Sequence, residues 1–290
     1  MDAEFNLIKA IGTDVDSRFI RIGQYKIHYI VTGVGPSVLL IHGANIGWGQ
    51  WYLNIKELAK YFTVYAIDLP GAGKSTKINF QTANLEEDFV QTVNRFIEVM
   101  KLGTIHVIGH SFGAWIALRL ARKMQNTDKV VLVSPVGFTR HIAWPFCLSS
   151  IPIIAKILAH TALKPSRTNM QNFLLQPVLK KKSVTNLLID YFYENIQGDP
   201  KAHPLFFMGA ISHFFRLKKE LLLIEELPKI KNKILVIVGD RDPLSPLQKI
   251  YKKFQLLSGA SIKVFAGVGH VPSIEDAAQF NTLVINFLIK

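Results

Sequence analysis

The residues of this 290-residue chain best suited to chemistry are Gly109-His110-Ser111-Phe112-Gly113. A serine with glycine two residues away on either side fits a very tight turn, in which a side chain at either glycine would strike neighbouring backbone. Ile105-His106-Val107-Ile108 before it and Ala114-Trp115-Ile116-Ala117-Leu118 after it supply a strand and a helix. In that setting the Ser111 hydroxyl is raised above a sheet edge, and the helix start adds unpaired N–H groups and positive dipole. Such a serine is a nucleophile that needs a base. The plain alternative is a serine that caps a helix, a common use of the residue.

Two later loops offer the remaining groups. His270 lies in Gly267-Val268-Gly269-His270-Val271-Pro272, after an apolar run, and its two glycines allow a sharp turn. Gly239-Asp240-Arg241-Asp242-Pro243 follows Ile234–Val238 and carries two carboxylates. From the residues alone either aspartate could orient the histidine, or both could sit in a solvated turn.

The elements that position these loops follow from periodicity. Residues 19–32 alternate apolar and polar about Gly23-Gln24, the pattern of a hairpin at a sheet edge. Short unbroken apolar runs come next: Ser37–Ile41, Thr63–Ile67, Ile105–Ile108, Val130–Val133, Ile234–Val238 and Ser261–Phe265. They suit parallel strands covered on both faces. Segments of helical period separate them, at Trp51–Tyr61, Leu85–Lys101, Trp115–Lys123, Leu247–Leu257 and Ile274–Ile289. Strand and helix alternate, so the expected architecture is α/β, with a mostly parallel sheet of about eight strands and helices on both faces. Between Val133 and Ile234 there are apolar helical stretches but no convincing strand. This predicts an inserted helical cap at 136–227, with residues 1–135 and 228–290 forming the core.

Composition narrows the class. With 49% hydrophobic and 19% charged residues the chain packs rather than staying disordered. Cys147, the single cysteine, cannot form an internal disulfide, and no Cys and His set has zinc spacing. No metal and a reducing, cytoplasmic setting are expected. Met1-Asp2-Ala3-Glu4-Phe5 lacks the basic start and apolar run of a signal peptide. The longest uncharged stretch, Ile142–Ala155 with Pro145 and Pro152, is too short to span a bilayer. The net charge of +13 raises the question of nucleic acid, but the densest basic runs are Lys180-Lys181-Lys182, Lys218-Lys219 and Lys252-Lys253. No aromatic-interleaved module accompanies them, so a solvated surface and no nucleic-acid partner are expected.

Together these motifs, in the order Ser111, Asp242, His270, resemble the α/β-hydrolase superfamily in its lidded branch of esterases, carbon–carbon bond hydrolases and proline iminopeptidase-like enzymes. The resemblance covers nearly the whole chain and is weakest in the cap. It implies Ser111 as nucleophile, His270 as general base and Asp242, rather than Asp240, as the acid that orients it. The His-Gly pair ending a strand, His42-Gly43-Ala44-Asn45, implies that the Ala44 and Phe112 amides form the oxyanion hole, with His42 structural. Asp68-Leu69-Pro70-Gly71-Ala72-Gly73-Lys74-Ser75 resembles a loop of the same family. As a phosphate-binding loop it fails, because Asp68 stands where the spacing demands glycine. A serine at position 111 argues against the epoxide hydrolases and haloalkane dehalogenases, which need a carboxylate there.

The function implied is serine hydrolysis through an acyl-enzyme, with no organic or metal cofactor. The cap is rich in Phe, Leu and Ile, among them Phe146, Leu148, Ile153, Ile157, Phe173, Phe207, Phe214 and Phe215. Most are expected in its core and some above the serine, which points to a small-molecule hydrophobic ester or acyl substrate. Asn45, Trp48, His110 and Val271 are the expected substrate contacts, although the His110 ring should point away from the nucleophile. Carboxylic ester hydrolysis leads, and carbon–carbon bond hydrolysis of a dienoic acid is the alternative. Proline iminopeptidase activity is disfavoured by the lack of an acidic cluster in the cap. A ligand-binding protein on the same scaffold is the non-enzymatic alternative. The cap holds +5 of the chain's +13 charge, which allows weak peripheral membrane contact through it.

Overall fold

The structure, a computed structural model, describes residues 2–178, 180–197 and 203–290. Met1 and the parts of the expected cap at 179 and 198–202 lie outside the described residues. A helix that the sequence pattern did not announce comes first, α1 (Ala3–Ile11), capped by Asp2 and closed by Gly12 at φ 69°. It buries only Leu7, Ile11 and two N-terminal residues, too few to give a clear period. The hairpin β1 (Asp16–Ile22) and β2 (Tyr25–Thr32) turns at Gly23-Gln24, and β3 (Ser37–Ile41) follows. Next come α2 (Tyr52–Leu58), β4 (Thr63–Ile67), α3 (Thr92–Val99), β5 (Ile105–His110), α4 (Phe112–Lys123) and β6 (Thr127–Val133). One 3-10 turn, Trp48–Trp51, leads into α2, and a π-helical stretch, Leu85–Gln91, leads into α3.

After Val133 the chain leaves the sheet and returns at Lys233. This region holds α5 (Trp144–Cys147), α6 (Pro152–His160), α7 (Arg167–Leu175), α8 (Asn186–Gln197) and α9 (Pro204–Ile211). It also holds a small ribbon, β7 (Ser212–His213) paired antiparallel with β8 (Arg216–Leu217). No strand was expected here. The ribbon turns on Phe214 and Phe215, both at positive φ (41° and 61°), where hairpins ordinarily use Asn and Gly, so the usual signal is missing. The core closes with β9 (Lys233–Gly239), α10 (Leu247–Phe254), β10 (Ser261–Phe265), α11 (Pro272–Glu275) and α12 (Ala277–Ile289).

The eight-stranded sheet has the order β1-β2-β4-β3-β5-β6-β9-β10, and only β2 runs against the others. Alternate residues feed two cores. Leu39, Ile41, Val107, Leu132 and Val236 face the side packed by α3, α4 and α10. Val38, Leu40, Ile108, Val131 and Leu235 face the side packed by α1, α2, α8 and α12. Burial on both faces is why these strands read as unbroken apolar runs. The cap aromatics divide differently from expectation. Phe207 is buried against the core, while Leu148, Ile153, Ile157, Phe214 and Phe215 are exposed. On α6 the buried face is narrow, Ala155 and Ala159 against Leu205 with Leu158 half-buried beside them, which leaves Ile153 and Ile157 outside. Among the described residues no helix is long and apolar enough to cross a membrane.

Several histidines are folded into the interior. His110, at the end of β5, is 2% exposed and its Nε2 donates to the carbonyl of His270 at 2.9 Å. Burial, then the neighbouring His270, pushes its imidazole down to about 3. Burial also lowers His42, His106 and His203. In the unfolded chain such rings take up protons near 6.5. Below that pH the unfolded state therefore binds more protons than the folded one, and stability falls as pH falls. A fully suppressed ring costs about 1.4 kcal/mol per pH unit until its folded pKa is reached. Urea midpoints should fall steadily from about pH 7 to about pH 5. His110→Gln, whose amide nitrogen falls close to the place of ring Nε2 and does not titrate, should flatten that slope by about one proton. An unchanged slope would count against a neutral buried His110.

Candidate active site

The Ser111 turn is held by close backbone approach. A Cβ at Gly109 would lie 2.3 Å from the Gly113 carbonyl oxygen, and one at Gly113 would lie 2.3 Å from that of Ile41. Ser111 itself adopts φ 52° and ψ −110°, a strained conformation for a residue with a side chain. Its N–H donates to Val133 O at 2.8 Å, and its carbonyl accepts the amides of Ala114 and Trp115. The turn is thus tied to β6 as well as to α4. Phe112 opens α4, so its amide belongs to the first helical turn, where N–H groups have no intrahelical partner. The Phe112 ring stacks on Trp115 and meets Phe207 and Phe89 edge-on.

His270 follows β10 on the loop that leads into α11. Its Nδ1 and Asp242 Oδ2 are 2.7 Å apart, both buried. This assigns the proton at Nδ1 and leaves Nε2 as the nitrogen able to act as a base. The Ser111 hydroxyl and the imidazole are not hydrogen-bonded to each other, and such pairs commonly tighten only when substrate docks. Burial works to raise the Asp242 carboxyl, but the charge and hydrogen bond of His270 and the amides of Ser245 and Leu244 hold it below the usual carboxylate value. Asp240 serves the backbone instead, because its Oδ1 accepts the Gly267 amide at 2.8 Å and so shapes the histidine loop.

Two groups that sequence reasoning missed fix these loops. Glu275 accepts the amides of Gly269 (3.0 Å) and Val271 (3.2 Å) on either side of the histidine, and also that of Lys180 from the cap. An acidic residue in the first turn of a helix is ordinary, so nothing in the sequence marks it. The cap contributes again through the Pro177 carbonyl, which accepts the His270 amide at 2.8 Å. Gln50, fully buried, accepts the Gly43 amide at 3.0 Å and so steadies the turn before Ala44. His42 bonds the Gly43 carbonyl through Nδ1 and accepts the Leu69 amide at Nε2, a structural use.

Ser111, Phe112, Ala44, His110, His270 and Val271 border one cavity, with walls from Ile46, Phe138, Ile142, Phe146, Phe173, Met208 and Leu244. Among the described residues no Lys, Arg, Asp or Glu lines it. Two expected contacts lie elsewhere. Trp48 is fully buried away from the cavity, its indole N–H donating to Glu4 Oε1 at 2.8 Å and its ring edge-on to Tyr191. The turn at Gly47 (φ 84°) starts a 3-10 helix there and sends the indole inward. Asn45, at φ 52°, is buried and also outside the cavity lining. His141 also lines the cavity, with Lys249 Nζ 3.3 Å from its Nδ1.

The glycine-rich loop after β4 folds around a carboxylate. Asp68 is fully buried, accepts the amides of Trp48 (2.7 Å) and Lys74 (3.0 Å), and contacts His28 Nδ1 at 2.7 Å. A buried anion there would repel phosphate. Among the described residues no three His, Cys, Asp or Glu side chains gather as a metal site requires.

The chain is 27% identical to a 2-hydroxy-6-oxononadienedioate/2-hydroxy-6-oxononatrienedioate hydrolase of Comamonas testosteroni, over 96% of this chain and 98% of that protein. It is also 27% identical to a 2-hydroxy-6-oxo-6-phenylhexa-2,4-dienoate hydrolase of Burkholderia cepacia, with the same coverage. A Bacillus subtilis carboxylesterase shares the fold, with a TM-score of 0.80 at 18% identity over 99% of this chain and 95% of the other. The family model described as "Alpha/beta hydrolase family" matches residues 38–283, and the chain belongs to that family.

Proposed function

We propose that this chain is a serine hydrolase that cleaves a carboxylic ester with an uncharged, hydrophobic acyl part, through an acyl-enzyme on Ser111. In this reading His270 Nε2 takes the hydroxyl proton as Ser111 attacks the ester carbonyl. The resulting tetrahedral oxyanion accepts hydrogen bonds from the Ala44 and Phe112 amides. His270 then protonates the departing alcohol. Water, deprotonated by the same imidazole, releases the acid and restores the serine. Asp242 remains ionised and stabilises the imidazolium.

The observation that carries the ester reading is the cavity wall, which is apolar around the serine and has no charged side chain among the described residues. Burying an unpaired carboxylate in such a wall costs several kcal/mol or more. A neutral acyl chain loses nothing and gains about 0.8 kcal/mol per buried methylene.

A second reading, hydrolysis of a carbon–carbon bond in a dienoic acid, has support from the names of the two relatives at 27% identity. It also has one local observation in its favour: Lys249, held 3.3 Å from the cavity-lining His141, is a cation within reach of the rim. In that case the substrate carboxylate would lie against Lys249.

Labelling with a fluorophosphonate tests the nucleophile. Wild type should be modified covalently and Ser111→Ala should not, with ester turnover falling on the order of 10⁴-fold or more. A folded wild type that is never labelled would point to a ligand-binding protein instead. The two hydrolytic readings separate on Lys249→Met. Under the ester reading kcat/KM for a neutral ester rises with acyl length and changes less than about twofold in the variant. A measurable dienoate turnover, with KM raised about tenfold by Lys249→Met, would favour the second reading.

A further inference from the structure

We propose that the outer face of the cap docks on an anionic phospholipid bilayer, with Phe214 and Phe215 entering the interface. Among the described residues fifteen large hydrophobic side chains are exposed, and six of them, Leu148, Ile153, Ile157, Leu163, Phe214 and Phe215, belong to the cap. They lie on connected elements. Ile153 and Ile157 share one face of α6, one turn apart, and the short 3-10 turn holding Leu148 leads directly into that helix. The ribbon tip is tied to the same turn, because the Phe215 amide donates to Ser150 Oγ at 2.9 Å.

The tip is built against local preference. The turn has positive φ at both central residues, as a type I′ hairpin turn requires, and here they are Phe214 (41°) and Phe215 (61°), 68% and 47% exposed. Two aromatic rings at that position, one edge-on to His213, leave much of their surface in water, a small return for the strained backbone. A partner outside the chain that takes up apolar surface resolves this conflict.

Charge identifies the partner. From His141 to Ile189 the chain contains no Asp or Glu but has six Lys and Arg residues. Arg216, Lys218 and Lys219 follow the ribbon tip directly. On α6, Lys156 is exposed between Ile153 and Ile157. Apolar side chains bordered by cations, with no acidic residue from 141 to 189 and one exposed glutamate, Glu220, after Lys219, match an anionic lipid surface, where rings insert at headgroup level and lysines meet phosphates. The tip also adjoins the cavity: Phe215 and Arg216 line a surface crevice with His141 and Ile142, and both of these line the cavity as well. Docking would therefore bring the cavity rim to the membrane. The contact itself does not depend on the chemistry at Ser111.

Co-sedimentation with vesicles of equal phosphatidylglycerol and phosphatidylcholine, against pure phosphatidylcholine, tests this. Wild type and Ser111→Ala should both bind the mixed vesicles at low salt and release at high salt. The double variant Phe214→Asn/Phe215→Gly places the preferred pair in the turn, so it should melt no lower than wild type and hydrolyse a soluble ester equally well. Its vesicle binding should fall about tenfold or more. Lys156→Glu/Lys219→Glu should lose binding to a similar degree. No binding by wild type at low salt, equal binding to pure phosphatidylcholine, or full retention by the Phe214→Asn/Phe215→Gly protein would overturn the proposal.

Discussion

The approach of the α4 backbone to the end of β3 is the constraint on which the site depends. Gly113 leaves room for nothing larger than hydrogen, since a Cβ would sit 2.3 Å from the Ile41 carbonyl oxygen and 2.6 Å from that of His42. This proximity brings the start of α4 beside the His42-Gly43-Ala44 turn, which is how Phe112 and Ala44 come to line the same cavity. It also forces the sharp reversal at Ser111, whose φ of 52° is balanced by hydrogen bonds to β6 and to the first turn of α4. A larger residue at 113 would separate β3 from α4 and disturb the core around Phe112 and Trp115 at the same time.

What the sequence disclosed follows from how local each constraint is. Strands packed on both faces must be largely apolar, so Ser37–Ile41 and Thr63–Ile67 could be read to the residue. The glycines around Ser111 are visible because their steric requirement is met within five residues. Long-range partners leave no such trace. The Ala3 amide meets Glu194, 191 residues away, so neither α1 nor its anchor could be seen in a window. Glu275 and Gln50 serve backbone amides, a use any acidic or amide side chain can serve, so their types carry no signal. Trp48 and Asn45 sit next to the oxyanion turn in sequence, but the turn at Gly47 takes the Trp48 ring to the opposite side of the sheet from the one packed by α4. Between Asp240 and Asp242 the decision is purely geometric: two residues apart, one carboxylate meets the histidine ring and the other meets the loop backbone.

The cap is joined to the core at the points where the chemistry is set. Phe207 packs edge-on against Phe80, Phe89 and Phe112, contacts worth about 0.5–1.5 kcal/mol each beyond their buried area. On the other side of the sheet Tyr191 reaches toward Asp68, and Glu194 holds the N-terminal helix. The Pro177 carbonyl and the Lys180 amide complete the hydrogen bonding of the histidine loop and of its Glu275 clamp. Displacement of the cap would unpair the His270 amide, so the cap positions the His270 loop as well as covering it.

Charge is separated along the same line. The chain carries a net +13, yet no ionisable side chain other than histidine lines the cavity among the described residues. The carboxylate that meets the His270 ring, Asp242, is satisfied by that ring and two amides, and its charge is directed through the ring rather than into the cavity. In a low-dielectric pocket this separation matters twice. The Asp242–His270 pair is strengthened because no competing charge screens it, and in the proposed mechanism the same holds for amide dipoles facing a developing oxyanion. A lysine or glutamate added to that wall would bring its own desolvation cost and would shift the His270 imidazole, which in the proposed mechanism exchanges protons with Ser111. The basic groups can therefore accumulate only on the outer surface, where water or an anionic partner meets them, and the interior remains suited to neutral, apolar matter.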